Sequence, residues 1–278
     1  MSNSMEPASH RWVEAALVRP VVLESTHVRI AAFAQPRQTE GRVNEDAIAV
    51  VELSPSHHLL VLADGVGGMP GGAQASAQAI DAIVDSVHEA TREQQPLQHG
   101  VLSGFDHANQ VILEAGSGAT TLVVVEIDDG TLRTYHAGDS GVLVTSQRGR
   151  LKLLTMAHSP VGYAQEAGYL TESEAMHHEE RHMVSNVIGC ADMRIEVGQL
   201  FSLSTLDTVV VGSDGLFDNL LSHEIASIVK QGPLRAVAAE LAAKATARMA
   251  GDVEPGLPCK PDDLSFLLYR RRVRRQPR

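Results

Sequence analysis

The sequence predicts an α/β (α+β) protein in which long helices pack outside antiparallel sheets. Nine short runs are rich in apolar and β-branched residues, which is typical of buried strands. Residues 128–130 and 148–149 form short turns between neighbouring runs, and such connections indicate antiparallel hairpins. Two longer stretches instead repeat apolar residues at helical spacing, so helices are expected to cover the sheets.

The predicted elements follow one another without a linker, so we expect one domain. Helices are expected at residues 74–93 and 233–251, where Pro233 and Gly251 mark the ends of the second helix. The less regular segment 158–190 contains a Thr-x-x-Glu capping box at residues 171–174, which predicts a short helix. The strands are expected at residues 28–34, 46–53, 58–63, 120–127, 131–138, 141–147, 150–155, 207–213 and 264–269.

Composition and charge restrict the function. The 278 residues carry a formal net charge of -11, although six arginines lie in the last nine positions, so the rest of the chain is strongly acidic. Such a surface argues against a nucleic-acid partner. No apolar run approaches the roughly 20 residues of a membrane span, the first residues lack signal-peptide regions, and the two cysteines form no metal or disulfide pattern. We therefore expect a cytoplasmic protein without a membrane span, and a monomer.

Acidic residues stand at the ends of several predicted strands. Asp64 ends one strand and is followed by glycines at positions 65, 67, 68, 71 and 72. A nucleotide-binding loop does not explain this turn: a P-loop requires Lys and Ser or Thr after its last glycine, and the dinucleotide fingerprint requires Gly where Pro70 stands. The other acids at strand ends are Glu45, Asp46, Asp139, Asp214, Asp262 and Asp263.

These carboxylates indicate a metal site. A sheet scaffold can bring the strand ends together, and the resulting cluster repels itself unless a divalent cation neutralises it. The all-oxygen donor set favours Mg²⁺ or Mn²⁺ over zinc. A single Asp-Gly pair is an ordinary turn, so the prediction depends on the number of such sites.

Six motifs resemble those of the metal-dependent protein phosphatase 2C family in order and approximate spacing: GRVNEDA, LADGVGGMPGG, GATTLVVV, HAGDSGVLV, VVGSDGLFDNL and PDDLSFLL. The resemblance implies a catalytic domain at residues 25–270, an N-terminal extension at 1–24 and a basic tail at 271–278. Residues 158–190 resemble the flap of the bacterial members. The implied fold is a four-layer α-β-β-α sandwich of two antiparallel sheets flanked by helices.

The resemblance also implies the reaction. The family hydrolyses phosphoserine or phosphothreonine in proteins through a hydroxide that bridges two Mn²⁺ or Mg²⁺ ions. The chain is thus expected to be a Mg/Mn-dependent protein serine/threonine phosphatase with two, or three, bound ions. Its expected partners are phosphorylated proteins that are targets of a Ser/Thr kinase in intracellular signalling.

Individual positions receive roles from the same resemblance. Asp64 corresponds to the carboxylate that bridges both metals, and with Asp214 and Arg42 it forms the expected catalytic set. The neighbouring glycines are expected to leave room for metals, waters and substrate. The implied metal ligands are Glu45, Asp46, Asp64, Gly65, Asp139, Asp214, Asp218 and Asp262.

The expected ligands divide among the ions. Asp214 and Asp262 correspond to ligands of the first metal, whereas Glu45 and Asp46 hold the second directly or through water. The remaining acids, at positions 139 and 218, match a weaker third-metal site of bacterial relatives.

The chain departs from the family pattern at three places, one of which is Gly141, where an arginine often follows the GDS triplet. Arg42, which would grip the phosphate, stands one residue closer to the following acids than is usual, so Arg37 is an alternative. Some relatives carry His after the bridging Asp-Gly as a general acid, whereas this chain carries Val66. The source of the proton for the leaving group is therefore unassigned.

Two other functions are weighed against this one. A non-catalytic relative would bind phosphoproteins or sense metal without turnover. A zinc peptidase would use the HExxH pattern of His178, Glu179 and His182. The segment around that pattern is polar, which favours a solvated histidine-rich helix over a buried catalytic one.

Overall fold

Two antiparallel sheets lie face to face at the centre of the protein, and helices cover the outer face of each sheet. The structure is a computed structural model that describes residues 8–39, 41–67, 71–116, 118–251 and 256–272. The predicted four-layer α-β-β-α sandwich is confirmed.

The strands occur where the sequence predicts them, and further strands join the edges of the sheets. The first sheet has the order β1-β4-β5-β6-β7-β10, with β11 also paired to β7, and the second has the order β2-β3-β13-β12-β8-β9. The strands are β1 (Ala8–Val13), β2 (Val21–Glu24), β3 (Val28–Gln35), β4 (Asp46–Glu52), β5 (His57–Asp64), β6 (Leu122–Asp128), β7 (Thr131–Ala137), β8 (Gly141–Thr145), β9 (Leu151–Leu154), β10 (Glu196–Val197), β11 (Phe201–Ser202), β12 (Thr208–Gly212) and β13 (Leu264–Arg271).

Helices α1 and α2 cover the first sheet, and α5, α6 and α7 cover the second. Within the described ranges, none of the helices is long and apolar enough to cross a membrane. The helices are α1 (Gly72–Arg92), α2 (Leu97–Ala115), α3 (Pro160–Glu166), α4 (Glu172–Met176), α5 (Asp214–Phe217), α6 (Ser222–Val229) and α7 (Leu234–Met249), and a 3₁₀ helix spans Glu179–His182.

Alternate side chains of the central strands enter different apolar layers. In β4, Ala47, Ala49 and Val51 pack with α1, whereas Ile48 and Val50 lie between the two sheets. All five are completely buried, and burial of an Ile or Val stabilises the fold by roughly 1.5–3 kcal/mol per side chain. The strands that carry the acidic residues are thus fixed from both faces.

Helix α2 was not among the predicted elements. Gly100 and Gly104 interrupt its apolar spacing in the sequence, and the structure gives the reason for both. A Cβ at position 100 would lie 2.7 Å from the Cβ of Ala90, and one at position 104 would lie 2.9 Å from Cδ1 of Ile83. Helix α2 can therefore approach α1 closely only because these residues lack side chains.

Residues 8–24, expected to lie in an extension before the domain, contribute an edge strand to each sheet. Strand β1 pairs with β4 in the first sheet, and β2 pairs with β3 in the second. Both strands are short and only partly buried, so the apolar alternation that predicts strands is weak here. At the other end, Arg271 pairs with Val28 in the sheet, while residues 273–278 of the expected tail lie outside the described part of the chain.

Candidate active site

Strands β4 and β5 place two carboxylates opposite each other at one end of the first sheet. Asp46 and Asp64 are direct partners in the antiparallel register. Only 1% of Asp46 is exposed, and neither of its carboxylate oxygens has a hydrogen-bond partner in the described part of the chain. Burial raises the pKa of Asp46 well above its usual range, and the charge of Asp263 raises it further. The nearby hydroxyls of Ser265 and Ser213 act to lower the pKa, but neither forms a hydrogen bond of standard geometry with the carboxylate. Unpartnered buried oxygens are costly, which points to a ligand for them.

The backbone of Asp64 is held by the segment that contains the GATT motif. The hydroxyl of Thr120 donates to the carbonyl of Asp64 (2.8 Å), and the amide of Asp64 donates to the hydroxyl of Thr121 (3.1 Å). The Thr121 hydroxyl also bonds that of Ser140 (2.7 Å), which belongs to the GDS motif. Three motifs that are distant in the sequence therefore fix one carboxylate.

The glycines after Asp64 serve backbone packing. A Cβ at Gly65 would lie 2.4 Å from the carbonyl oxygen of Gly72 and 2.8 Å from that of Glu45. At the second Asp-Gly pair, a Cβ at Gly215 would lie 1.9 Å from the carbonyl oxygen of Asp263. At Gly65 the close backbone packing is thus a further requirement for glycine. That the glycines leave room for metals and substrate stays a prediction, and residues 68–70 of the same loop lie outside the described residues.

The second sheet supplies a further group of carboxylates. Asp214 begins α5 directly after β12, Asp218 follows that helix, and Asp262 precedes β13. These three acids surround one ammonium group, that of Lys260: Nζ contacts Asp214, lies 2.8 Å from Asp218 Oδ2 and lies 3.3 Å from Asp262 Oδ2. The sequence analysis did not single out Lys260, and only its position two residues before Asp262 could have suggested it.

The acids from the two sheets form one electrostatic cluster. Burial raises the pKa of Asp64 well above its usual range, and the charges of Asp46 and Asp214 add to the rise. Burial also raises the pKa of Asp139, again with a contribution from Asp214 and then from Asp218. Five predicted site residues thus lie close enough to perturb one another.

The ammonium of Lys260 affects the pKa values of its three carboxylate neighbours unequally. Burial acts to raise the pKa of Asp214, but Lys260 outweighs it and the pKa is lowered. Burial raises the pKa of Asp218 to about 6 against the opposing charge of Lys260. The pKa of Asp262 rises to about 7 through burial and the charge of Asp214. One ammonium therefore leaves much of the negative charge uncompensated.

Glu45 lies at the edge of the cluster beside the candidate phosphate-binding arginine. Arg42 Nη1 is 3.8 Å from Glu45 Oε2, and the Arg42 side chain is 46% exposed, so it can reach a bound substrate. Burial raises the pKa of Glu45, as does the charge of Asp263, while Arg42 and then Arg37 oppose the rise. Both candidate arginines thus lie near this end of the site.

Asp263 is a site residue whose role the sequence did not predict. Its carboxylate accepts the backbone amides of Arg37 and Glu45, both at 2.6 Å. It therefore connects β13 of the second sheet to the loop that precedes β4 of the first. Its position directly after Asp262 was the available signal, but two adjacent acids do not reveal which of them faces a metal and which binds backbone.

The donor set fits a divalent metal ion. The fit rests on the unpartnered buried oxygens of Asp46 and on the presence of a cation, the Lys260 ammonium, among three of the other carboxylates. Carboxylate and carbonyl oxygens are the donors that Mg²⁺ and Mn²⁺ prefer.

The flap lies beside this cluster, and the predicted capping box of α4 is confirmed at Thr171. Glu172 accepts hydrogen bonds from the amide (2.6 Å) and hydroxyl (2.5 Å) of Ser222, which attaches the flap to α6. A cavity of about 240 Å³ extends under the flap and is lined in part by Asp139 and Asp218. The space next to the acids is thus bounded by flap residues.

The HExxH pattern does not form a zinc-peptidase helix. Glu179–His182 is a single turn of 3₁₀ helix, and His178 stands outside it as the N-terminal cap. None of the four helical residues is buried. The two histidines therefore do not share the face of an α-helix that zinc ligation in this motif needs.

A second cluster of possible metal ligands lies at the base of the flap. The ligand atoms of His136, His158 and Glu196 lie within 4.8 Å of one another. The amide of Gly138 donates to Nδ1 of His158 (3.2 Å), so a neutral His158 carries its proton on Nε2, which lies 3.1 Å from Glu196. A metal would need the lone pair of that same nitrogen. The arrangement is therefore better explained as a hydrogen-bond network that attaches the flap to β7 and β10.

Known proteins resemble this chain in sequence and in fold. The model of the protein phosphatase 2C family matches residues 35–249. A serine/threonine phosphatase stp of Listeria welshimeri is 28% identical over 211 residues, which cover 71% of this chain and 82% of that protein. The structure of the Streptococcus agalactiae serine/threonine phosphatase covers 87% of this chain and 99% of its own, with 28% identity and a TM-score of 0.70.

A further solved structure illustrates the fold at lower identity. It is the catalytic domain of the serine/threonine protein phosphatase PstP in complex with two manganese ions, which is 21% identical, covers 88% of this chain and 98% of its own, and has a TM-score of 0.67. Because the family model spans most of the chain, from the end of β3 to the end of α7, this protein belongs to the protein phosphatase 2C family.

Proposed function

We propose that the protein hydrolyses phosphoserine and phosphothreonine in other proteins and uses Mn²⁺ or Mg²⁺ as its cofactor. The observation that carries the proposal is the convergence of Asp46 and Asp64 from one sheet with Asp214 and Asp262 from the other. Buried like charges are retained at a cost, and a divalent metal explains why a stable fold keeps them. Membership of the phosphatase family supports the same activity.

The proposed ligands belong to two main ions. Asp64 would be shared by both ions, Asp214 and Asp262 would hold the first, and Asp46 would hold the second together with Glu45, which would act directly or through water. The carbonyl of Gly65 is a further donor. When bound, the two ions lower the pKa of water and offset the charge of the phosphate.

A third ion is proposed beside the main pair. Asp139 and Asp218 would hold it, and both line the cavity under the flap. A weakly held ion there would connect the metal centre to the segment that bounds the substrate.

Residues of the chain itself would orient the substrate. Arg42 binds phosphate oxygens in this proposal, since its guanidinium is half exposed and lies beside Glu45. Arg37 is the alternative, because its buried Nε has no partner in the described part of the chain. Val66 offers no proton, so the leaving alkoxide would be protonated by water.

The natural substrates are proposed to be targets of a Ser/Thr kinase in the cytoplasm, acted on by a monomeric enzyme. The net charge of -11 supports basic or neutral docking surfaces on those substrates. A phosphopeptide series with basic or acidic flanks would test this preference, and faster hydrolysis of the acidic series would contradict it.

The activity itself is tested by phosphate release from a phosphothreonine peptide. We expect turnover with Mn²⁺ or Mg²⁺, none with chelator, and loss of turnover in Asp214→Asn. Glu179→Ala is the matched control, because it removes an acid from the flap outside the cluster. Phosphopeptide binding without turnover at saturating Mn²⁺ would instead identify a non-catalytic relative, and loss of phosphate release in Glu179→Ala would show that the flap contributes to turnover.

A further inference from the structure

The ammonium of Lys260 occupies a site that is built to hold it. An ammonium has three N–H donors, and Nζ of Lys260 has three carboxylate neighbours, those of Asp214, Asp218 and Asp262. Only 16% of the Lys260 side chain is exposed. The Lys260 ammonium therefore differs from that of a surface lysine, whose hydrogen bonds are made mostly to water.

The backbone fixes the lysine in this position. The side-chain amide of Asn219, which is completely buried, donates to the carbonyl of Lys260 (2.9 Å), and its oxygen accepts the Lys260 amide (2.8 Å). On the other side, Nη2 of Arg181 in the flap donates to the carbonyl of Cys259 (3.0 Å). The segment that carries Lys260 is thus attached to the loop after α5 and to the flap.

We propose that Lys260 is an internal competitor for the metal centre: its ammonium binds the carboxylates that the first and third ions require, and a divalent ion must displace it. The inference rests on the proposed function. Lys260 would then set the concentration of Mn²⁺ or Mg²⁺ at which the metal centre fills.

The competition follows from charge and from shared ligands. Asp214 and Asp262 are the proposed ligands of the first ion, and Asp218 is a proposed ligand of the third, so Lys260 contacts ligands of both. A divalent ion and an ammonium a few ångströms apart repel each other strongly in a partly buried site. The apparent affinity for metal equals the intrinsic affinity multiplied by the fraction of molecules in which the ammonium has left the carboxylates. The smaller this fraction, the weaker the apparent binding.

The asymmetry of the site restricts the competition to one side. Asp46, whose oxygens are unpartnered, lies on the other sheet and is not among the salt-bridge partners of Lys260 in the described part of the chain. Metal should therefore bind first where Asp46 and Asp64 lie, and the ions beside Lys260 should bind at higher concentration.

The test is titration calorimetry of the purified full chain with MnCl₂, comparing the wild type with Lys260→Met and Lys260→Arg. We expect Lys260→Met to bind Mn²⁺ about tenfold more tightly at the weaker sites, and Lys260→Arg to remain close to the wild type because it keeps the charge. Lys244→Met is the matched control, since Lys244 forms an ion pair with Glu224 (2.9 Å) away from the cluster. Phosphatase activity of Lys260→Met should reach half its maximum at a lower Mn²⁺ concentration.

The outcomes separate this inference from the proposed function. Equal or weaker Mn²⁺ binding by Lys260→Met, in a wild type that binds Mn²⁺ and hydrolyses phosphopeptide, would overturn the inference alone. Absence of Mn²⁺ binding in every variant would overturn the proposed function as well. Lys260→Gln provides a second neutral variant with a side chain that can still donate hydrogen bonds, so that the comparison survives if the Met variant does not fold.

Discussion

The two sheets contribute differently to the same acidic cluster. On the first sheet, Asp46 and Asp64 face each other in a register fixed by β4 and β5, and Asp46 lacks a partner for its charge within the described residues. On the second sheet, Asp214 and Asp262 share the ammonium of Lys260. The comparison indicates that the carboxylates of the first sheet are positioned by strand register and backbone hydrogen bonds, whereas those of the second sheet are also paired with an ammonium group.

The largest effect is expected from the carboxylates of the first sheet. Asp64→Asn removes the proposed bridging carboxylate with little change in shape, and we expect activity to fall by at least about a thousandfold. The fold should be retained, because the substitution also relieves repulsion with Asp46 and Asp214. Steady-state kinetics and urea unfolding of the metal-free protein would check both parts. Activity within tenfold of the wild type would remove Asp64 from the mechanism.

Metal binding should also raise the free energy of unfolding. Mn²⁺ at about 100 times its Kd is expected to stabilise the folded state by about 2.7 kcal/mol, and chelator should reverse the gain. Asp46→Asn should reduce the gain, since its oxygens are unpartnered in the described chain. Thermal unfolding with and without Mn²⁺ measures the difference. If the unfolding temperature of the wild type did not change with Mn²⁺, the proposed metal centre would be contradicted.

The contact that joins the two halves should give an intermediate effect. Asp263→Asn keeps one acceptor oxygen but loses the other, so either the amide of Arg37 or that of Glu45 loses its partner. We expect a loss of activity of about tenfold, typical of residues that position metal ligands, with most of it recovered at high Mn²⁺. Activity measured across a Mn²⁺ series would show the recovery. A loss unaffected by Mn²⁺ would place Asp263 in the chemistry instead.

The acids at strand ends were predictable because each stands in the sequence beside its own strand. Asp64 and Asp214 both follow apolar runs and precede glycine, and that local signal gave their positions correctly. The Lys260 contact is different, because it depends on how Asn219 holds the segment before Asp262. A contact created by tertiary structure leaves no periodic pattern in the chain.

The prediction of the fold from sequence was limited for the same reason, since some elements depend on tertiary packing. The buried positions of a central strand such as β5 are apolar apart from His58, and the boundaries of that strand were predicted to within a few residues. Edge strands β1 and β2 are half exposed, so their composition resembles that of a loop. Helix α2 carries glycines at its closest contacts with α1, and glycine lowers helix propensity. The packing that requires these glycines is visible only in three dimensions.

The smallest effect we predict is a dependence of stability on pH in the metal-free protein, and the carboxylates beside Lys260 contribute to it. The folded-state pKa values of Asp218 and Asp262, about 6 and about 7, lie above the usual value of 3.8. The folded state therefore binds more protons than the unfolded state between these values, and stability must fall as the pH rises from about 4 to about 7. We expect a loss of roughly 1 kcal/mol, because Asp262 is 36% exposed and water screens its interactions.

Urea unfolding at pH 5 and pH 8 in the presence of chelator measures that loss. Asp262→Asn should reduce it, because the variant removes one of the groups whose raised pKa produces the trend. Saturating Mn²⁺ should reverse the trend, since the metal binds the deprotonated carboxylates and stabilises them at higher pH. A metal-free protein that becomes more stable toward pH 8 would mean that burial does not hold the pKa values of these carboxylates above their usual range, and the electrostatic cost that we assign to the metal-free cluster would be wrong.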